Sequence, residues 1–265
     1  MHARSALFDV YGDHLRQRGG MAPIASLVAL LEPLGFRAPA VRTAVSRMVK
    51  QGWLVAVDVA GLRGYALTAR AEHRLDEAGA RIYRTRQRDW DGRLDVVLFS
   101  PPAERRRRSQ LTAALRFHGY GPLSAGAWMS PWAASELPSA FEEAGVEYER
   151  FSSAHRGDTA ALARQAWDVD ELAGRYRDFV AEFDPIVGLV GAGTPDEVAY
   201  TARFRLVHAF RVFLFSDPQL PPELCPHSWA GGGAAAFFDV QAARLRPAAD
   251  RYVDRCLQRN ENTHV

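Results

Sequence analysis

Between Ala38 and Leu54 the chain reads APAVRTAVSRMVKQGWL, and this stretch constrains the fold more than any other. Val41, Ala44, Val45, Met48 and Val49 recur at the period of a helix buried along one stripe, with Pro39 placed to start it. Arg42, Thr43, Ser46, Arg47 and Lys50 must then face away. That second face offers cations and hydroxyls but no carboxylate, because no Asp or Glu occurs from Arg37 to Val57. No capping side chain occupies positions 36 to 38, so phosphate at the open helix N-terminus would be well received.

The neighbouring stretches give this helix a context. Leu7, Phe8, Tyr11 and Leu15 predict a first helix ended by Gly19-Gly20. Ile24, Leu27, Val28 and Leu31 predict a second, with Pro23 at its first position and Pro33 and Gly35 breaking it. WLVAVDVAGLRGYALT then reads as two strands on either side of Gly61-Leu62-Arg63-Gly64. Three helices followed by a hairpin is the order of a winged helix-turn-helix, which lays a helix in the major groove of double-stranded DNA. The expected base and phosphate contacts are Arg37, Arg42, Thr43, Ser46, Arg47 and Lys50, with Arg63 on the wing. An isolated helix of this kind more often has a merely solvated polar face; here the surrounding order of elements and the charge balance agree on DNA.

That balance emerges only when the net charge of +2 is divided along the chain. Residues 1–92 hold 14 Lys+Arg against 9 Asp+Glu, residues 93–160 hold 8 against 8, and residues 161–265 hold 11 against 14. A polyanionic partner is therefore expected at the front of the chain. Lys50 is the single lysine among 33 basic residues, so raw arginine counts carry little weight. Two cysteines, Cys225 and Cys256, fit neither a disulfide scaffold nor a structural zinc site. No signal peptide and no run of about 18 apolar residues is found, and the expectation is a cytoplasmic protein without a membrane partner.

TARAEHRLDEAGARIYRTRQRDWDG predicts a connecting helix ending near Asp91-Gly92. Beyond it, RLDVVLF, an Arg-rich helix from Ala103 to His118, strands near Tyr120–Leu123 and Ala127–Met129, the helix PSAFEEAG and the strand VEYERFS give βαββαβ, a ferredoxin-like order. Arg105 to Arg108 fall in the first turn of that Arg-rich helix, against its dipole, as a solvated turn or an anion contact. From Thr159 the chain is helical, with one amphipathic element through Trp167 and Phe183, a TPDE capping box at Thr194–Glu197, and a closing helix after the Pro-rich SDPQLPPELCPHSW. The expected organisation is an α+β multidomain chain. It comprises a winged helix-turn-helix domain (1–90), a ferredoxin-like middle domain (91–158) and a helical C-terminal domain (159–265). GLVGAG follows a helix and reads as a linker; no GxSxG elbow or metal-ligating cluster is present.

SALFDVYGDHLRQRGG, AVRTAVSRMVKQGWL, RIYR…WDGRLDVVLF, WDVDELAGRYRDFVAEF and RFRLVHAFRVFLFSDPQLPPELCPHSWAG together resemble the PaaX family of bacterial repressors of phenylacetate catabolism. The likeness runs from about Ser5 to about Asp254, and AVRTAVSRM and HAFRVFLFSDPQLPPEL are its specific parts. It implies the three domains above, a homodimer, no cofactor, and an effector such as phenylacetyl-CoA or another acyl-CoA that releases operator DNA. Arg203, Arg205, His208, Arg211 and Trp229 are the candidate effector contacts; the alternative is that they tie the long C-terminal helix to the middle domain. Arg37 stands where the family often has Ser, and Ala209 and Phe210 depart from its usual polar residue and Tyr. The middle domain is also similar to the small CRISPR-associated nuclease fold, whose first strand ends in an acidic residue. Ser100 stands there, which counts against the competing reading of an enzyme, whether a nuclease or an acyl-CoA processing protein.

Overall fold

Helix α1 (Ala3–Val10) runs into a π-helical turn (Tyr11–Leu15) and a 3-10 turn (Arg16–Arg18) before Gly19, at φ 83°, ends it. The widened turn points Tyr11, His14 and Leu15 inward together. A three-residue strand, β1 (Met21–Pro23), follows, then α2 (Ile24–Leu31), α3 (Ala38–Lys50), β2 (Leu54–Val59), β3 (Leu62–Leu67) and α4 (Ala69–Ile82). The computed structural model describes residues 1–83, 89–226 and 229–258, apart from the side chains of Glu77, Ala80, Arg81, Leu214 and Phe215.

The three strands form an antiparallel sheet in the order β1-β3-β2. Pro23 therefore closes β1 and precedes α2 at φ −59°, ψ 148°, instead of occupying the first helical position. The hairpin turn also lies earlier than the sequence predicts. Val59 pairs with Leu62, so the turn is Ala60-Gly61, both at positive φ (52° and 80°), while Leu62, Arg63 and Gly64 belong to β3. A two-residue loop with both φ positive matches the twist of the strands. Gly64 is a strand glycine for a different reason: a Cβ there would stand 2.9 Å from the Ala22 carbonyl oxygen, where β1 crosses.

Helix α4 ends at Ile82 with Tyr83 as its C-cap, and Asp89–Gly92 are not helical, so the connecting helix stops short of the expected Asp91-Gly92 end. Its 84–88 portion lies outside the described residues. Trp90 donates from Nε1 to the Arg93 carbonyl, and Asp91 accepts from the Arg93 amide, holding a turn at this point.

Next come β4 (Leu94–Phe99), α5 (Arg105–Phe117), β5 (Gly121–Ser124), β6 (Ala127–Ser130), α6 (Leu137–Ala144) and β7 (Tyr148–Ser153). The sheet is antiparallel in the order β5-β6-β4-β7, which is the split βαββαβ topology. Strand alternation divides its two faces. Val97 and the opposing Trp128 pack with Leu111, Leu115 and Phe141 of α5 and α6. Leu94 and Met129 face Ala163 and Ala166 of α7 (Thr159–Ala166).

The amphipathic element expected from Thr159 is two helices. Trp167 is extended (φ −131°, ψ 140°), and Asp168 then accepts from the Glu171 amide to open α8 (Val169–Gly188). At TPDE the Thr194 hydroxyl accepts from the Gly191 amide, closing the loop before α9 (Asp196–Arg211), and so turns away from the expected box. A 3-10 turn at Pro222–Leu224 interrupts the Pro-rich segment, and α10 (Gly231–Gln258) ends the described chain.

Two compact units result: residues 1–86, 180–211 and 235–265 form one, residues 87–179 and 212–234 the other. The C-terminal third is thus shared between units, and α9 and α10 place Tyr200, Phe204, Ala249 and Val253 in the same core as α1 to α3. The Tyr200 and Tyr252 hydroxyls donate to the carbonyls of Leu30 and Ala29 on α2.

Ala60 adopts a left-handed conformation that costs a residue with a Cβ about 1–2 kcal/mol and that Asn tolerates better. Ala60→Asn is expected to raise stability by about 0.5–1 kcal/mol, seen as a later urea midpoint at unchanged slope. An earlier midpoint would reject this turn assignment.

Candidate nucleic-acid interface

Helix α3 buries Val41, Ala44, Val45 and Met48 against α1 and α2. Full burial of side chains such as Val41 and Met48 is worth about 1.5–3 kcal/mol each, which fixes the rotation of the helix. Arg42, Thr43, Ser46, Arg47 and Lys50 are all exposed on the other face, as is Arg37 at the N-cap. The structure therefore brings together the whole predicted set on α3. Arg37 makes no side-chain cap, leaving the first turn open, and the Thr43 hydroxyl donates to the Pro39 carbonyl at 2.8 Å.

The distribution of carboxylates distinguishes this face. Within the same unit, Arg16 pairs with Asp76, Arg18 with Asp254, Arg203 with Asp13, Arg211 with Asp9, and Arg251 and Arg255 with Asp196. Among the described residues no ion pair is made by Arg37, Arg42, Arg47 or Lys50, so their charge is uncompensated. Arg63 is exposed in β3, opposite Asp58 and next to the turn, and its guanidinium lies over the Tyr65 ring at 5.9 Å.

Two flanking cations escaped the sequence analysis. Arg4 donates to Gln51, the C-cap of α3, at 3.2 Å. Arg70 stacks on Trp53 at 4.4 Å, and Phe8 meets the same indole edge-on at 5.4 Å. Both arginines are exposed. The aromatic Trp53 after the apolar stripe was their one signal.

The candidate effector residues divide. Arg203 is 1% exposed and donates to both Asp13 oxygens, at 2.9 and 2.7 Å, to the Tyr83 hydroxyl and to the Ala242 carbonyl. His208 and Arg211 share Asp9, at 2.6 and 2.7 Å, and Arg211 also reaches Ser5. These three tie α9 to the N-terminal segment. Arg205 is exposed, whereas Trp229 belongs to the other unit, edge-on to Tyr176 at 5.7 Å.

In the second unit Ser100 is exposed just past β4, where the sequence places it. The carboxylate of this sheet that sequence reasoning missed is Asp95, which accepts from Tyr120 and from Arg150 at 2.9 Å. Arg105 to Arg108 occupy the exposed first turn of α5, with Arg107 on Glu104 and Arg108 on the Pro102 carbonyl. Among the described residues no group of three or more His, Cys, Asp or Glu is placed to hold a metal ion, and no helix is long and apolar enough to cross a membrane.

Three family models match the chain in succession: PaaX-like protein over residues 2–71, PaaX protein central Cas2-like domain over 87–165, and PaaX-like protein C-terminal domain over 167–255. Transcriptional repressor PaaX of Escherichia coli (strain K12) is 31% identical over 260 residues, covering 94% of this chain and 82% of that protein. An uncharacterized protein from Mycobacterium tuberculosis superposes with a TM-score of 0.61 over 95% of this chain and 98% of its own, at 24% identity, a likeness of fold alone.

The two sets of cations are expected to respond oppositely to truncation. Arg203→Met strands the buried Asp13 and should cost about 3–5 kcal/mol of stability, whereas Arg47→Ala should change it by no more than about 0.5 kcal/mol. Equal losses in urea titrations would reject the division. Burial raises the Asp13 carboxyl, but His14, Arg203 and the Tyr83 hydroxyl outweigh it and hold it below its ordinary range. Asp250 is held at about 2, chiefly by His14 at 3.4 Å and also by Arg18. Carboxyls depressed in the folded state stabilise it above their unfolded pKa of about 3.9 and cease to do so as pH falls through the folded one. The urea midpoint should therefore drop from about pH 4 towards 2, and less steeply in the Asp13→Asn/Arg203→Met double variant.

Proposed function

This chain belongs to the PaaX family, and from that premise we propose that it is a repressor whose winged helix-turn-helix sets α3 in the major groove of double-stranded operator DNA. The chain is a transcriptional regulator and not an enzyme. The observation that carries the reading is the exposed face of α3, whose Arg37, Arg42, Arg47 and Lys50 lack carboxylate partners among the described residues, while Arg16, Arg18, Arg203, Arg211, Arg251 and Arg255 of the same unit are paired. Uncompensated cations release condensed counterions when they meet phosphate, and guanidinium groups read guanine edges. Arg42, Thr43, Ser46, Arg47 and Lys50 carry recognition in this reading, and Arg63 touches flanking phosphate from the hairpin.

The protein acts in the cytoplasm as a homodimer, and an acyl-CoA thioester such as phenylacetyl-CoA releases the operator. The family supports this part of the reading. Release requires that the thioester bind the DNA-incompetent state better than the competent one. Arg205 is the member of the α9 set that is exposed and without a partner among the described residues, and it meets the thioester in this reading. Arg203, His208 and Arg211 serve the response through Asp13 and Asp9, since α1 lies in one core with both α9 and α3.

Fluorescence anisotropy on DNA from upstream of the protein's own gene, against scrambled DNA at one fixed salt concentration, tests the reading. Specific binding that phenylacetyl-CoA reverses is expected, and Arg47→Ala should weaken it by about 1–3 kcal/mol. Equal affinity for both DNAs would overturn the repressor; an unchanged affinity in the variant would remove Arg47 from the base-reading set.

A further inference from the structure

A cleft of about 330 Å³ opens in the middle domain between one face of α5, the β4–α5 loop and the β5–β6 hairpin. Arg108, Thr112 and Arg116 line it from α5 at intervals of four residues, so they share one stripe of the helix. Its apolar walls include Phe99, Leu111, Trp128 and Pro122. Trp128 and Pro122 are paired across the β5–β6 ladder, which sets the indole and the proline ring side by side.

Three independent features of this cleft point to the same ligand chemistry. The first is charge: no Asp or Glu lies between Glu104 and Glu136, so the lining holds two guanidinium groups and no carboxylate. Arg116 is exposed and has no side-chain partner among the described residues, and Arg108 spends one nitrogen on the Pro102 carbonyl at 3.0 Å. The second is an aromatic wall: Phe99 and Trp128 both line the cleft, with the Pro122 ring beside the indole. The third is size. The volume lies at the lower end of the range for small-molecule sites, about 300–1,000 Å³, which suits one ring with a short acidic arm and is too small for a dinucleotide.

We propose that this cleft binds a small aromatic anion, its ring against Trp128, Phe99 and Pro122 and its carboxylate or phosphate on Arg108 and Arg116. The inference does not rest on the α3 reading, and its test contains no DNA. Arginine pairs with either oxyanion through parallel N–H donors, so the two head groups are separated by experiment.

The full chain labelled with ¹⁵N at its tryptophan indoles is titrated with benzoate, phenyl phosphate, cyclohexanecarboxylate and inorganic phosphate. The Trp128 signal is the one missing from Trp128→Phe. Benzoate or phenyl phosphate should move that signal saturably at millimolar concentration, with the better of the two naming the head group. Cyclohexanecarboxylate should bind more weakly, and inorganic phosphate should leave the signal in place. Arg116→Gln, a change on the exposed face of α5, should weaken the aromatic ligand about tenfold, equivalent to about 1.4 kcal/mol, by calorimetry that needs no assignment. A signal unmoved by both aromatic anions, an equal response to inorganic phosphate, or unchanged affinity in Arg116→Gln would each overturn the proposal.

Discussion

A guanidinium enclosed in a protein core must be surrounded on all sides by acceptors, and Arg203 imposes that requirement on the first unit. Taking such an ion out of water costs several kcal/mol, which its partners must offset together. Asp13 comes from the π-helical turn, Tyr83 from the end of α4, and the Ala242 carbonyl from α10. Four stretches far apart in sequence are fixed by one side chain. The widened turn matters here, because it sets Asp13 beside the buried His14, whose ring nitrogens lie 3.3 Å from Asp13 and 3.4 Å from Asp250. Asp9, one turn earlier, takes His208 and Arg211 in the same manner. The N-terminal segment thus supplies the carboxylates and α9 most of the cations, and the core that supports α3 is closed by this exchange.

The same exchange explains where positive charge is left over. An arginine that meets a carboxylate inside its own unit contributes little to the field outside, while one that does not remains available to a polyanion. Helix α3 keeps its cations free because its own sequence and the hairpin up to Val57 contain no acid. The α5 region repeats this pattern on a smaller scale, with no acid between Glu104 and Glu136. There the guanidinium groups of Arg108 and Arg116 line an apolar cleft, where α3 presents an open helix face.

Much of the fold was legible because it follows from periodicity. The α3 stripe, the two strands after it and the βαββαβ order depend on neighbours within a few residues, and the observed elements follow in that order. Errors arose where tertiary contacts choose between local options. Met21–Pro23 is too short to carry a strand pattern and becomes β1 because β3 offers it an edge. Gly64 suggested a turn, yet its missing side chain serves the close passage of β1. The run through Trp167 kept an apolar period across a break that Asp168 caps, since a side chain buried on a strand and one buried on a helix both read as apolar.

The roles of the arginines were the least legible. Arg203, Arg205, His208 and Arg211 look alike as a basic cluster at helical spacing, and nothing local tells which of them points inward. Their fates are decided by Asp9 and Asp13, about 190 residues earlier in the chain. Arg42 and Arg47 are legible as outward-facing because their own helix buries Val41, Ala44, Val45 and Met48 on the opposite stripe. In a chain whose basic residues are nearly all arginine, counting them measures the total positive charge. Only the positions of the carboxylates determine where that charge remains unspent, and those positions are set by the fold.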